Sequence, residues 1–190
     1  IPPQANVTTL RVTTSVLGAG LVEAIADADI VARELNPPSA NVSGRVHWVH
    51  ELENPNGPLR AGRFGWKSQL ATVLSFSGDA SMMELGLTNR LLPFENAPNG
   101  NQALLATWDA VPDPEDAPDG GGFEFIDRVT HFQRFLAAPP QTPKSGMSGE
   151  ALFVAVGCAD CHTPQFTTRN DVALEPALRL VGEVDQTPEQ

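Results

Sequence analysis

Residues Cys158-Ala159-Asp160-Cys161-His162 carry the most informative pattern in this sequence. Two thiols separated by two residues, with an imidazole directly after the second, form the C-x-x-C-H signature of c-type haem attachment. In that chemistry the thiols bond covalently to the haem edge and the imidazole binds the iron. One short turn places both sulfurs on the same porphyrin edge, with the histidine immediately beyond them. We therefore predict a covalently bound c-type haem, attached through Cys158 and Cys161, with His162 as the iron ligand.

The C-x-x-C spacing also occurs in redox dithiols and in zinc sites. The chain contains only these two cysteines. A zinc site would need two more ligands at close spacing, whereas the remaining histidines, His47, His50 and His131, are widely scattered. A thioredoxin-type pair usually lies in a βαβ pattern, which this sequence does not show. Haem attachment is the interpretation that the residues favour.

The sequence after His162 lacks a strong second axial ligand for iron. Residues 163–190 contain no Met, His, Lys or Cys. In small electron-transfer cytochromes c the sixth ligand, usually Met, follows the attachment site. Three possibilities stay open: an upstream ligand, an open or water-bound iron, or a ligand from other polypeptide. The upstream candidates, none of which is singled out by its spacing, are Met82, Met83, Met147, His47, His50 and His131.

Length and charge exclude several classes of protein. A chain of 190 residues is long enough for one large or two small domains with real cores. Its net charge of −11 argues against binding to nucleic acid or to anionic membrane surfaces. No stretch approaches the roughly 20 apolar residues that a membrane helix needs. Because c-type haem is normally attached outside the bacterial cytoplasm, we expect a periplasmic or otherwise exported protein whose leader has been removed.

Apolar periodicity predicts a mainly α fold with long loops, and the loops are rich in the 17 Pro and 16 Gly of the chain. Helices are predicted over residues 21–35, 68–76, 123–138 and 148–157. Residues 93–122 read as a long loop, and its acidic Pro- and Gly-rich end at 111–122 is a candidate domain boundary. In the helix over 123–138 the predicted buried side carries Phe125, Val129, Phe132, Phe135 and Leu136.

Several blocks of the sequence resemble the bacterial di-haem oxidoreductases, the relatives of di-haem cytochrome c peroxidases and MauG. The most specific block is Gly62-Arg63-Phe64-Gly65-Trp66-Lys67. The other similar blocks are residues 17–25, 43–46, 78–79, 85–89, 132–140 and 149–164. The resemblance implies cytochrome c-like haem domains, with redox chemistry at one haem and electron storage or relay at the other.

The sequence departs from the family pattern in its number of haem motifs. Family members carry two C-x-x-C-H motifs, whereas this chain has one, which corresponds to the second. We therefore expect the middle part of a longer protein, with the missing motif on other polypeptide; a proteolytic product, one subunit of a split protein and an incomplete sequence all stay open. Residues 1–122 would be the back half of a first cytochrome c-like domain plus an inter-domain region, and residues 123–190 the opening part of a second. Leu85 also stands where the family tends to have Met.

The resemblance gives roles to three residues of the G-R-F-G-W-K block. Trp66 would lie between two haems and relay electrons; the alternative is a buried aromatic that anchors its turn. Arg63 and Lys67 could bind haem propionates through charge-assisted hydrogen bonds. Equally, these two side chains could only solvate a turn. If the roles hold, this part of the chain contacts a second haem.

Three functions are compatible with these residues. The leading hypothesis is a c-type haem oxidoreductase with peroxidase-like chemistry, part of a di-haem protein. The alternative is an electron-carrier subunit of a larger redox assembly, and a third is a structural or substrate-binding module with a vestigial haem. The expected partner is a redox protein or a small-molecule oxidant.

Overall fold

The computed structural model describes residues 7–10, 12–37, 42–108, 111, 117–139 and 148–169. Within these ranges 41% of the residues are helical and 8% are in strand, which confirms the mainly α class. The α-helices described there are α1 (Ala19–Glu23), α2 (Asp27–Leu35), α3 (Val73–Ala80), α4 (Gln102–Trp108), α5 (Phe125–Phe135) and α6 (Ser148–Ala155). Two short strands, β1 (Trp48–Val49) and β2 (Arg60–Ala61), pair antiparallel, with Trp48 opposite Ala61. None of the helices in these ranges has the length and apolar character needed to cross a membrane.

The helix predicted over residues 21–35 is broken into α1 and α2, so that prediction is wrong in part. The break at residues 24–26, called here the corner, contains Ala26 in an extended conformation (φ −66°, ψ 141°). The carbonyls of Val22 and Ile25 accept hydrogen bonds from the Arg63 guanidinium. A continuous helix would use these carbonyls for its own amides. The Arg63 contact therefore takes the place of the i to i+4 helical bond at these two carbonyls, although the Val22 carbonyl still accepts the Ile25 amide over 3.3 Å.

Helix α5 packs against both α1 and α3 and forms the centre of the helical core. α1 approaches so closely that a β-carbon on Gly20 would collide with the backbone carbonyl of Arg134. The side chains of Glu23 and Arg134 form a buried ion pair, with Glu23 Oε2 2.6 Å from Arg134 Nε. Glu23 Oε1 also accepts the amide of Val73 at the start of α3, over 2.8 Å. A single carboxylate thus connects three helices.

The structure confirms a helix near residues 123–138 but contradicts its predicted buried side. Ile126, Thr130 and Gln133 are buried, whereas the predicted core residues Phe125, Phe132 and Phe135 are exposed. Polar contacts fix the rotation of the helix: Arg134 binds Glu23, and at the other end Asp127 and Glu124 bind Arg90. These ion pairs turn the phenylalanine side of α5 away from the core.

The elements between residues 68 and 108 also differ from the prediction. The helix predicted over 68–76 begins later, at Val73, because Thr72 caps it by accepting the Ser75 amide. It continues into a π-helix over Ser81–Leu85. The predicted loop over 93–122 contains a 3₁₀ turn and α4, while the acidic run at 112–116 lies outside the described residues. The division at residue 122 stays a prediction, although α5, which follows it, packs on α1 and α3.

Candidate haem-attachment site and tryptophan loop

The C-x-x-C-H motif lies in a single turn directly after α6. Gly157 ends that helix in the left-handed conformation (φ 86°) that glycine adopts without strain. A 3₁₀ turn follows over Cys158–Asp160. The amides of Cys161 and His162 both donate to the Cys158 carbonyl, over 3.2 and 2.9 Å. Local backbone hydrogen bonds alone therefore hold the two cysteines and the histidine together.

The side chains of the motif are available for covalent and coordinate bonding. Cys158 and Cys161 are free thiols and both are exposed. His162 is also exposed, and its ring centroid lies 6.3 Å from that of Phe153. α6 is apolar on nearly all sides, because only Glu150 within it is charged, and several of its apolar side chains reach solvent. An apolar helix beside two thiols and an imidazole fits a flat, largely apolar cofactor.

The segment after the motif connects to the corner between α1 and α2. Thr168 pairs with Ile25 in an antiparallel bridge. The Arg169 amide donates to the Ala24 carbonyl over 2.9 Å. Nearby, the guanidinium of Arg33 on α2 lies 5.4 Å from the centre of the Phe166 ring. These contacts attach the candidate haem-attachment segment (residues 158–169, called here the haem segment) to the helical core.

Arg63, a predicted propionate ligand, binds the same corner from the other direction. Its side chain is only 4% exposed. Nη1 donates to the carbonyls of Ile25 (2.6 Å), Val22 and Glu23 (both 3.2 Å), and Nη2 pairs with Asp27. The structure therefore gives this guanidinium a role in holding the corner. Its contact with a haem propionate stays a prediction.

Asp27 is the counter-ion of two arginines at this corner. Arg60 Nε lies 2.7 Å from its carboxylate, and the Ala61 amide also donates to it. Burial raises the pKa of Asp27, but the hydrogen bonds from Arg60 and Ala61 and the charges of Arg60 and Arg63 outweigh it. The pKa of Asp27 therefore lies below its ordinary value. Asp27 is ionised at neutral pH, which keeps the network closed.

The G-R-F-G-W-K block forms a closed loop, called here the tryptophan loop (residues 62–70). Phe64 and Leu70 exchange backbone hydrogen bonds of 2.9 and 3.2 Å at its base. Two residues of its tip, Gly65 (φ 80°) and Ser68 (φ 49°), have left-handed backbone. A β-carbon on Gly62 would collide with the Ser68 carbonyl, so the loop closes only with glycine at that position.

Trp66 and Lys67 lie at the tip of the tryptophan loop. Trp66 is 52% exposed, which does not match the alternative of a buried anchor. Phe64 at the base has the anchoring place instead, with its ring centroid 6.0 Å from that of Phe76. Lys67 is exposed as well. The electron-relay role of Trp66 and the propionate contact of Lys67 stay predictions.

The methionines proposed as second axial ligands differ in accessibility. Met82 is buried, whereas Met83 is exposed and its sulfur lies 2.9 Å from Nδ2 of Asn96. Met147 lies outside the described residues. Met83 therefore offers the more accessible sulfur of the two described.

The three histidines outside the motif each have a defined contact. The His131 ring contacts the Phe135 ring one turn further along α5, with 4.8 Å between the centroids and 55° between the ring planes. His47 Nδ1 lies 3.1 Å from the Lys67 carbonyl, and His50 Nδ1 lies 3.1 Å from the Gly57 carbonyl. No group of three or more His, Cys, Asp and Glu side chains in the described ranges is placed to hold a metal ion.

Comparison with protein families gives a match over most of the chain. The model of the family described as "Di-haem oxidoreductase, putative peroxidase" matches residues 4–184. The chain belongs to the di-haem oxidoreductase family. Neither the curated proteins nor the solved structures gave a significant match. Membership establishes a redox role and implies haem as the cofactor.

In this di-haem oxidoreductase the corner is the feature that sequence reasoning missed. It joins the tryptophan loop, through Arg63, to the haem segment, through Arg169. One signal was present: Asp27 and Asp29 are acidic residues suited to the first turn of a new helix. Arg169 had no such signal, because its partner is the carbonyl of Ala24, far away in sequence.

Proposed function

We propose that this chain carries one c-type haem, which would be bonded through Cys158 and Cys161 with His162 as the iron ligand. The protein serves peroxide-linked oxidation as part of a di-haem protein outside the bacterial cytoplasm. The observation that carries the proposal is the single turn after Gly157, on which two free thiols and an imidazole are exposed together. Family membership supports the redox role.

Each residue of the turn has a distinct task in this proposal. The two thiols fix the cofactor in one orientation through thioether bonds, and His162 holds the iron. Phe153 lies beside the imidazole, with 6.3 Å between the ring centroids. When bound, the haem supplies one-electron redox chemistry and reactivity with peroxide.

The second axial position and the second haem complete the proposal. Residues 163–190 contain no Met, His, Lys or Cys, so a second iron ligand would come from an upstream residue, from water or from other polypeptide. That polypeptide carries the missing C-x-x-C-H motif, and residues 1–122 and 123–190 belong to two cytochrome c-like domains. Trp66 relays electrons between the haems, with Arg63 and Lys67 near the propionates; the exposed tip of the tryptophan loop supports this role for Trp66.

Covalent attachment is tested by haem staining after denaturing electrophoresis of protein produced with haem-attachment capacity. We expect a stained band for the wild-type chain. The double variant Cys158→Ser/Cys161→Ser should lose the stain, while Met83→Leu, outside the motif, should keep it. A wild-type band that loses its haem on denaturation would contradict the proposal.

Catalysis is separated from electron carriage by peroxide-dependent oxidation of a reduced donor, using the protein with both haems. An enzyme accelerates this reaction. A carrier exchanges electrons with the donor at the same rate with or without peroxide, and that outcome would favour the alternative of an electron-carrier subunit.

A further inference from the structure

His47 contacts the tryptophan loop at two separate points. The Gly62 amide donates to the His47 carbonyl over 2.8 Å, at the start of the loop. The imidazole Nδ1 lies 3.1 Å from the Lys67 carbonyl, at the tip. Because a carbonyl only accepts hydrogen bonds, Nδ1 carries the hydrogen and donates it. One residue beside β1 therefore holds both the entrance and the tip of the loop.

The tip is the part of the loop that needs such support. The bonds between Phe64 and Leu70 close the base. Within the tip, the Ser68 amide is 3.4 Å from the Gly65 carbonyl, at the long end of hydrogen-bonding distance. Ser68 also has a left-handed backbone, which a residue with a β-carbon adopts at some energetic cost. The bond from His47 ties this strained tip to a different element of the fold.

We propose that His47 is a positioning residue for Trp66. Its Nδ1–H fixes the Lys67 carbonyl, and with it the backbone that directly follows Trp66 and orients the exposed indole. This inference deepens the proposed function and rests on it, because orientation of Trp66 matters for redox chemistry only if Trp66 relays electrons.

Three substitutions at His47 distinguish the effect of losing the hydrogen bond from the effect of losing the volume of the ring. In His47→Asn the amide Nδ2 is attached to Cγ, as Nδ1 is in histidine, so the donor is kept in place. In His47→Gln the donor moves one carbon further from the backbone. In His47→Leu it is lost while an apolar side chain remains. His50→Leu is the matched control, since its Nδ1 binds Gly57 outside the loop.

The direct readout is the mobility of Trp66 in the haem-free full chain. Trp48 and Trp108 are replaced by Phe, so that Trp66 is the sole tryptophan of the three. We expect His47→Leu to lower the fluorescence anisotropy of Trp66 and to increase its quenching by acrylamide. His47→Asn and His50→Leu should keep the values of the parent. Unchanged anisotropy in His47→Leu, or an equal loss in His50→Leu, would overturn the proposal.

If circular dichroism shows that His47→Leu does not fold, His47→Asn and His47→Gln decide instead. The proposal requires the fluorescence anisotropy of Trp66 to stay at the parent value in His47→Asn and to fall in His47→Gln. Equal anisotropy in these two variants would refute it.

A kinetic measurement distinguishes this inference from the relay proposal. In the protein with both haems, His47→Leu should slow electron transfer between them and His47→Asn should not. Trp66→Phe is the reference. If Trp66→Phe leaves the rate unchanged, the relay role is wrong, while the anisotropy data still decide whether His47 positions the loop.

Discussion

Asp79 lies in the last turn of α3, just before the π-helix over Ser81–Leu85. Burial raises the pKa of this carboxyl above its ordinary value of 3.8; a hydrogen bond with Gln69 opposes the rise, and the charge of Glu84 adds to it. The folded protein therefore holds the Asp79 proton more tightly than the unfolded chain does. Asp79 stabilises the fold most at low pH, and this contribution is lost as the pH rises through the folded pKa.

Asp79→Asn should accordingly raise the free energy of unfolding at pH 7, because asparagine keeps an acceptor for Gln69 without the charge. The gain should shrink as the pH falls and vanish below about pH 3, where aspartate is protonated in both states. Urea unfolding at a series of pH values measures the difference. Asp29→Asn, in the first turn of α2, is the control and should give no gain at pH 7. A loss of stability in Asp79→Asn at pH 7 would contradict the prediction.

At the residue scale, contacts between residues close in the sequence could be predicted, whereas contacts between distant residues could not. The motif around Cys158 and His162 is held by hydrogen bonds within five residues. Its sequence pattern was therefore sufficient to predict that the two cysteines and the histidine lie close together. The partners of Arg63 were not predictable. They are mainly backbone carbonyls at a distant corner, and since every residue has a carbonyl, the sequence does not indicate which of them is bound. Trp66 was found by resemblance, whereas His47, which acts through the Lys67 carbonyl, was named only as a possible iron ligand.

At the scale of elements, α5 shows what periodicity can and cannot indicate. Its two sides differ in chemistry, with Phe125, Phe132 and Phe135 on one and Ile126 with Thr130 on the other. Periodicity identified the helix correctly. It could not tell which side faces the core, because ion pairs with distant residues set the rotation. The more apolar side is the exposed one.

The orientation of α5 is tested by two truncations on the same helix. Ile126 is 1% exposed, so Ile126→Ala should lower the free energy of unfolding by about 2–5 kcal/mol. Phe132 is 62% exposed, so Phe132→Ala should have a clearly smaller effect although it removes more atoms. Denaturant unfolding of the haem-free chain measures both. A larger loss for Phe132→Ala would mean that the predicted side is buried after all.

At the scale of the whole molecule, the corner at residues 24–26 links parts of the chain that are far apart in sequence. Arg63→Ala should release the corner carbonyls and loosen the bridge between Ile25 and Thr168. Amide hydrogen exchange should then become faster at Arg169, whose N–H binds Ala24. Arg60→Ala removes contacts to Asp27 and Glu51 but none to the corner carbonyls.

The Arg60→Ala variant is therefore the control for the whole-molecule experiment. Exchange at Arg169 should stay near the wild-type rate in it. If exchange at Arg169 were accelerated equally in the two variants, the acceleration would result from a general loss of stability and not from release of the corner.

The mainly α class and the family were predictable at this scale, because helix periodicity and motif blocks are spread along the whole sequence. The meeting of the tryptophan loop and the haem segment at one corner was not. It depends on Arg63 and Arg169 binding main-chain oxygens, which any sequence at residues 22–25 would provide. The division into two cytochrome c-like domains at residue 122 stays a prediction.

The bridge to the corner also bears on the order of events during maturation. Ala24 and Arg169 are 145 residues apart, and closing so long a loop costs chain entropy before any contact compensates for it. The turn from Gly157 to His162 needs only neighbouring amides and can form early. The turn can therefore form while residues 168–169 have not yet bound to the corner. If haem is bonded to this turn as we propose, attachment can precede the docking of residues 168–169 on the corner.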